Sequence, residues 1–105
     1  MARRYKLITE LYERTQKSVA APDKWQEFLS SACQNYKLPF DEQLLIYAQR
    51  PDATAVLEIE KWNRLFGRWV NRGATGIAVF NKDFPNANRL KYYFDISDTH
   101  ESRLS

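Results

Sequence analysis

The sequence predicts an α+β fold, with three to four helices packed on a small antiparallel sheet, and a change of hydrophobic period carries that prediction. Apolar residues recur at spacings of three and four up to about residue 71, and from residue 75 the period shortens to two in two short β-branched and aromatic segments. Size sets the scale. A chain of 105 residues makes one domain, and 44% hydrophobic content with three Trp, six Tyr and six Phe is enough to fill one core.

Each element follows from local chemistry. Residues 1–19 place Tyr5, Ile8, Leu11 and Tyr12 on one side of a first helix. After the break at Ala20-Ala21-Pro22, Asp23 and Gln26 have the form of a capping box. They open a second helix with Trp25, Phe28, Leu29, Ala32, Cys33 and Tyr36 as its apolar face. Leu38-Pro39-Phe40 ends it, and Asp41 caps a short third helix that stops at Arg50-Pro51. Residues 51–57 connect to a fourth helix over 59–71, with Gly73 as its left-handed cap and Gly67 in its interior, at a cost of about 1 kcal/mol relative to Ala. Residues 75–80 and 89–96 then form a hairpin across the turn-rich loop 81–88, with Leu90, Tyr92, Phe94 and Ile96 facing in and Lys91, Tyr93 and Asp95 facing out. Residues 97–105 carry no usable pattern.

The formal charge of +3 is a poor guide to the surface. Residues 61–91 contain seven cations, Lys61, Arg64, Arg68, Arg72, Lys82, Arg89 and Lys91, against Asp83 alone, whereas residues 1–60 sum to −1. On the expected fourth helix, Lys61, Arg64, Arg68 and Arg72 fall on one side and Ile59, Trp62, Phe66, Trp69 and Val70 on the other. Four cations with no acid between them repel one another, so something must compensate them. Phosphate does so well, because the guanidinium fork matches its oxygens. The competing reading is a solvated face, or neutralisation by Asp41, Glu42, Glu58 or Glu60. Among the interleaved aromatics, Trp62 belongs to the core, while Trp69 and Tyr93 are placed to stack a base.

Several function classes drop out. A lone Cys33 and a single histidine, His100, make no metal-ligand cluster and no nucleophile–base pair. The glycines of Arg72-Gly73-Ala74-Thr75-Gly76 follow a helix and precede a strand, the reverse of a phosphate loop. Glu58, Glu60, Asp95 and Asp98 show no catalytic spacing. The expectation is a non-enzymatic chain without metal or cofactor. The longest apolar runs, 44–48 and 77–80, are far below the roughly 20 residues of a membrane span, and the reading is a soluble, cytoplasmic protein.

One ordered set of motifs is more specific. The chain has Leu44 to Tyr47, then Gln49-Arg50-Pro51-Asp52-Ala53-Thr54, Trp62, Gly67, Val70, Arg72, Gly73, Gly76-Ile77 and Phe94-Asp95-Ile96-Ser97-Asp98-Thr99. Over about residues 23–99 this resembles the N-terminal domain of the ArdC-type antirestriction proteins. The resemblance implies a bacterial domain that binds single-stranded DNA, carried by plasmids and conjugative transposons and found also at the front of long helicase or methylase proteins. It has no counterpart of the metallopeptidase-like region that follows in that family, so the binding role is the one implied, for a chain expected to be the first part of a longer protein.

The expectation is therefore a non-specific single-stranded-DNA-binding module. Lys61, Arg64, Arg68, Arg72, Lys82, Arg89 and Lys91 would meet phosphates, and Trp69 or Tyr93 would stack a base. The alternative is a docking module for other parts of a longer parent.

Overall fold

The computed structural model describes residues 2–32, 35 and 37–102, and it has the α+β architecture that the change of period predicts. Four α-helices are described: α1 (Ala2–Ser18), α2 (Pro22–Ala32), α3 (Phe40–Gln49) and α4 (Ile59–Phe66). A three-stranded antiparallel sheet has the order β1 (Val56–Leu57), β4 (Leu90–Asp95), β3 (Ile77–Phe80). The strand β2 (Arg68–Val70) pairs with β5 (Thr99–Glu101) in a separate antiparallel ribbon. Neither β1 nor β5 was expected, since each is only two or three residues long and depends on a distant partner for its backbone hydrogen bonds.

The core is where α3 meets the sheet. Leu45 and Ile46 pack against Ile77, Val79, Val56 and Tyr93, with Ile8, Leu11 and Tyr12 of α1 closing one side. A second group, Val19, Phe28 and Leu44, joins α2 to α3. The outer edge of β3 is covered by a side chain. Gln49, the last residue of α3, donates Nε2 to Ala78 O (2.8 Å) and accepts from Ala78 N at Oε1 (2.9 Å), as a neighbouring strand would. This satisfies backbone groups that would otherwise offer a pairing edge.

Helix starts differ from expectation in a consistent way. α2 begins at Pro22, with Trp25 N donating to Ala21 O, so Pro22 sits at the first helical position and Asp23 lies in the first turn, not at the cap. Proline has no N–H to lose there and its φ is already helical. α3 likewise begins at Phe40 after Pro39, and Asp41 accepts from Glu42 N within the first turn. Its end at Gln49, before Pro51, is as expected. On α2, Phe28 is buried while Trp25 and Leu29 are substantially exposed, and the expected apolar positions Cys33 and Tyr36 lie outside the described residues.

The fourth helix is shorter than expected. It stops at Phe66 because Gly67 takes the left-handed conformation (φ 59°, ψ 32°) and donates its N–H back to Asn63 O and Trp62 O. Gly67 is thus the cap that the expectation assigned to Gly73, and Gly73, at φ 84°, serves the turn before β3. Residues 68–70 cross to pair Arg68 with Glu101, Trp69 with His100 and Val70 with Thr99. The continuous cationic helix face therefore does not exist. Lys61 and Arg64 lie on α4, Arg68 on β2 and Arg72 in the following turn.

The two faces of β4 are also assigned differently. Tyr93 is paired with Ile77 and points into the core at 7% exposure, so Tyr92 lies on the opposite side. Alternation in 90–96 alternates aromatic with aromatic, which leaves the choice of inner face to tertiary contacts. The polar members of Tyr93's face have dedicated partners, Glu42 for Lys91 and backbone amides for Asp95. Trp62, at 2% exposure, is in the core as expected and donates Nε1 to Phe94 O over 2.8 Å.

Candidate nucleic-acid interface

The nine residues expected to bind nucleic acid separate by what the fold has already given them. Tyr93 is unavailable for stacking: its hydroxyl donates to buried Glu42 Oε1 over 2.6 Å. Burial, reinforced by that carboxylate, pushes the Tyr93 phenol far above its ordinary range. Lys91 Nζ lies 3.8 Å from Glu42 Oε2 and 5.5 Å from the Tyr93 ring centre. Lys82 Nζ is 2.8 Å from Asp41 Oδ1. Arg68 donates Nε to Thr99 Oγ1 (2.7 Å) and Nη2 to Thr99 O (3.1 Å), with Glu101 3.7 Å away. Acids 41 and 42 thus neutralise Lys82 and Lys91 of the hairpin, and not the four cations of residues 61–72 for which the competing reading considered them.

Four cations are left to solvent. Lys61 and Arg72 are exposed and have no ion-pair partner among the described residues. Arg64 faces Glu60 at 3.8 Å, an exposed i, i+4 pair of the kind worth only a few tenths of a kcal/mol. Arg89 lies over the Phe84 ring at 4.8 Å. Trp69 is 41% exposed on the β2–β5 ribbon, opposite His100, whose Nδ1 is 2.6 Å from Asn71 Oδ1.

The structure adds a focus that the sequence reading missed. On the face of β4 opposite the core, Tyr92 lines two adjoining clefts, of about 420 and 450 Å³. Arg4, from the first turns of α1, lines both and holds its guanidinium carbon 5.2 Å from the Tyr92 ring centre. The first cleft has Ile59, Gly76, Tyr92 and Phe94 as apolar walls, with Glu58, Glu60, Lys61 and Lys91 among its polar lining. The second has Arg4, Arg89 and Asn88 and no carboxylate. Tyr92 escaped notice because the alternation was assigned to the wrong face. Arg4 carried no local signal at all, since nothing in residues 1–19 says which strand the helix start lies over.

Gly76 makes this face possible. A Cβ built there would stand 3.0 Å from Tyr92 Cβ and 3.1 Å from Phe94 Cζ, closer than ordinary van der Waals contact. The chain at residue 76 packs against both rings, and a side chain there would require them to give by a few tenths of an ångström.

The two strings Gln49 to Thr54 and Phe94 to Thr99 meet in space, in a polar knot. Asp95, 2% exposed, accepts at Oδ1 from Thr54 N (2.7 Å) and Ala55 N (3.1 Å), and at Oδ2 from Ser97 N (3.0 Å) and Ser97 Oγ (2.6 Å). Arg50 Nη1 donates to Asp98 Oδ2 over 2.6 Å and Nη2 to Ser97 Oγ over 3.0 Å. Burial acts to raise the Asp95 pKa, but the hydrogen bonds from Ser97, Ala55 and Thr54 more than offset it and hold the carboxyl below its ordinary value. These residues fasten the segment after α3 to the end of β4, which is a structural task.

Among the described residues, no group of three His, Cys, Asp or Glu side chains could hold a metal ion, and no helix is long and apolar enough to cross a membrane. Comparison with protein-family models, with curated proteins and with solved structures gives no match.

Proposed function

We propose that this chain is a module that binds single-stranded DNA with little sequence specificity, using the face of β4 around Tyr92. The observation that carries the reading is the pair of clefts sharing Tyr92 and Arg4, with Lys61 at one and Arg89 at the other. Proteins that grip single strands combine cations that follow the backbone with aromatic rings that stack the bases, and both are present on this surface. The resemblance to the ArdC-type N-terminal domain points to the same ligand. Arg64, Trp69 and Arg72 offer a second stretch of exposed cations and an aromatic along which a longer strand could continue.

Titration of a fluorescent oligonucleotide at several salt concentrations tests the reading. With Arg4, Lys61 and Arg89 on phosphates, log affinity falls against log salt with a slope of about −2, at roughly 0.7 per contact on a single strand. The charge reversals Lys61→Glu with Arg89→Glu abolish binding while leaving the thermal transition in place. Absence of salt-dependent binding in the parent chain overturns the proposal.

A second reading, docking to another protein or another part of a longer parent, is favoured by one observation. α4 leaves Leu65 and Phe66 exposed at 55% and 61%, beside half-exposed Ile59. Leu65→Lys with Phe66→Lys would remove a docked partner and leave oligonucleotide binding intact.

A further inference from the structure

The two clefts beside Tyr92 differ in chemistry, and that difference says which part of a nucleotide each accepts. The cleft at Arg89 has Arg4 and Asn88 beside it and no carboxylate, so it suits a phosphate. The cleft at Lys61 has apolar walls from Ile59, Tyr92 and Phe94, and its polar lining mixes the cations Arg4, Lys61 and Lys91 with two carboxylates, Glu58 and Glu60. A phosphate there would meet those carboxylates, whereas a base would meet a ring to stack on. Its volume, about 420 Å³, is in the range of small-molecule pockets, which run from roughly 300 to 1,000 Å³.

The two carboxylates are not equivalent. Glu60 is almost fully exposed and faces Arg64. Glu58 precedes α4 at its N-cap position, yet its side chain makes no capping hydrogen bond and no ion pair among the described residues. It is a half-buried acceptor left without a donor at the edge of an aromatic cleft. Carboxylates in this situation accept from exocyclic amino groups of bases, as Glu and Asp do from cytosine N4, and repel a carbonyl at the same position.

Resting on the single-strand reading above, we infer that the Lys61 cleft is a base site that selects bases bearing an exocyclic amine. The base stacks on Tyr92, Glu58 accepts from its amine, the phosphate on one side of it lies at Arg4 and Arg89, and the phosphate on the other side meets exposed Lys61. In the free protein the Arg4 guanidinium covers the Tyr92 ring, so a base either joins that stack or displaces the arginine, and the site is closed to a duplex whose bases are already paired.

The test compares fluorescein-labelled deoxycytidine and deoxyuridine homopolymers of about 12 nucleotides, at a pH of about 7.5 where cytosine is neutral. The two differ at C4, amine against carbonyl, and at N3, a bare acceptor in cytosine and an N–H in uracil. The deoxycytidine strand binds on the order of tenfold tighter, as one recognised amine allows. Glu58→Gln, whose amide can donate to the uracil carbonyl, brings the two affinities together, and Glu60→Gln leaves the ratio unchanged. Tyr92→Ala weakens both strands by on the order of tenfold, while Tyr92→Trp retains binding. Equal affinities for the two strands, or a ratio unmoved by Glu58→Gln, overturn the base site while salt-dependent binding upholds the single-strand reading. Binding to neither strand overturns both.

Discussion

Tyr93 hands its hydroxyl hydrogen to Glu42 across 51 positions of sequence, tying the centre of β4 to the first turn of α3 inside the core. Glu42 is itself buried, and its other oxygen has Lys91 3.8 Å away. Removing the phenol leaves a buried carboxylate with one distant cation, and an unsatisfied buried acceptor costs about 1 to 3 kcal/mol. Tyr93→Phe therefore lowers stability by that amount in a urea titration and leaves oligonucleotide affinity unchanged. Tyr92→Phe, one residue along, leaves stability nearly unchanged. A loss of DNA binding in Tyr93→Phe, at a temperature where it stays folded, would return Tyr93 to the interface.

Gly67 offers a test whose sign is decisive. If the helix ran on to residue 71, Gly67→Ala would stabilise the protein by about 1 kcal/mol through helix propensity. With Gly67 at φ 59° as the cap, alanine meets no atom but enters the left-handed region, at a cost of about 1 to 2 kcal/mol. The thermal midpoint of Gly67→Ala should fall, and Gly67→Asn should fall less, because Asn tolerates that conformation best among the other residues.

Gly67 also marks the boundary of what the sequence could tell. The hydrophobic period up to Phe66 and again from Ile77 was legible, and so was the hairpin, because each depends on neighbours within one element. The exchange from helix to strand at Gly67 depends on Thr99 to Glu101, about 30 residues later, where no period signals a strand. The same reason scattered the site. Charges counted along the chain put Arg68, Lys82 and Lys91 in one patch, while the acids that neutralise them, Glu101, Asp41 and Glu42, lie far away in sequence. Tyr92 and Arg4, which share a contact in space, come from opposite ends of the chain.

At Gly76 the obstacle is steric and not conformational. The nearest atom to an added Cβ is Tyr92 Cβ, which is fixed to the backbone of the central strand and cannot swing aside as a side-chain tip could. Gly76→Ala must shift β4 or the loop before β3, at about 1 to 3 kcal/mol for overpacking of this kind. Because the same contact sets where the Tyr92 ring lies, Gly76→Ala should weaken oligonucleotide binding even at temperatures where the variant is folded. Undiminished affinity would separate Gly76 from the site.

Asp95 supplies the pH dependence. Its carboxylate takes hydrogen bonds from Thr54, Ala55 and Ser97, which hold its folded pKa below the ordinary value despite burial. The unfolded value is about 3.9, and a group whose pKa is lower when folded binds more protons unfolded across the interval between the two. Its contribution to stability is therefore complete above about pH 5 and is lost as pH falls from there through the folded pKa. Asp95→Asn keeps one carbonyl for Thr54 and Ala55 but turns an amide toward the Ser97 N–H, setting donor against donor. The variant should lose on the order of 2 to 3 kcal/mol at neutral pH. Its stability should then decline less steeply than the parent's between about pH 5 and pH 2, since the titrating group is gone. Parallel acid limbs for the two proteins would place the pH dependence elsewhere.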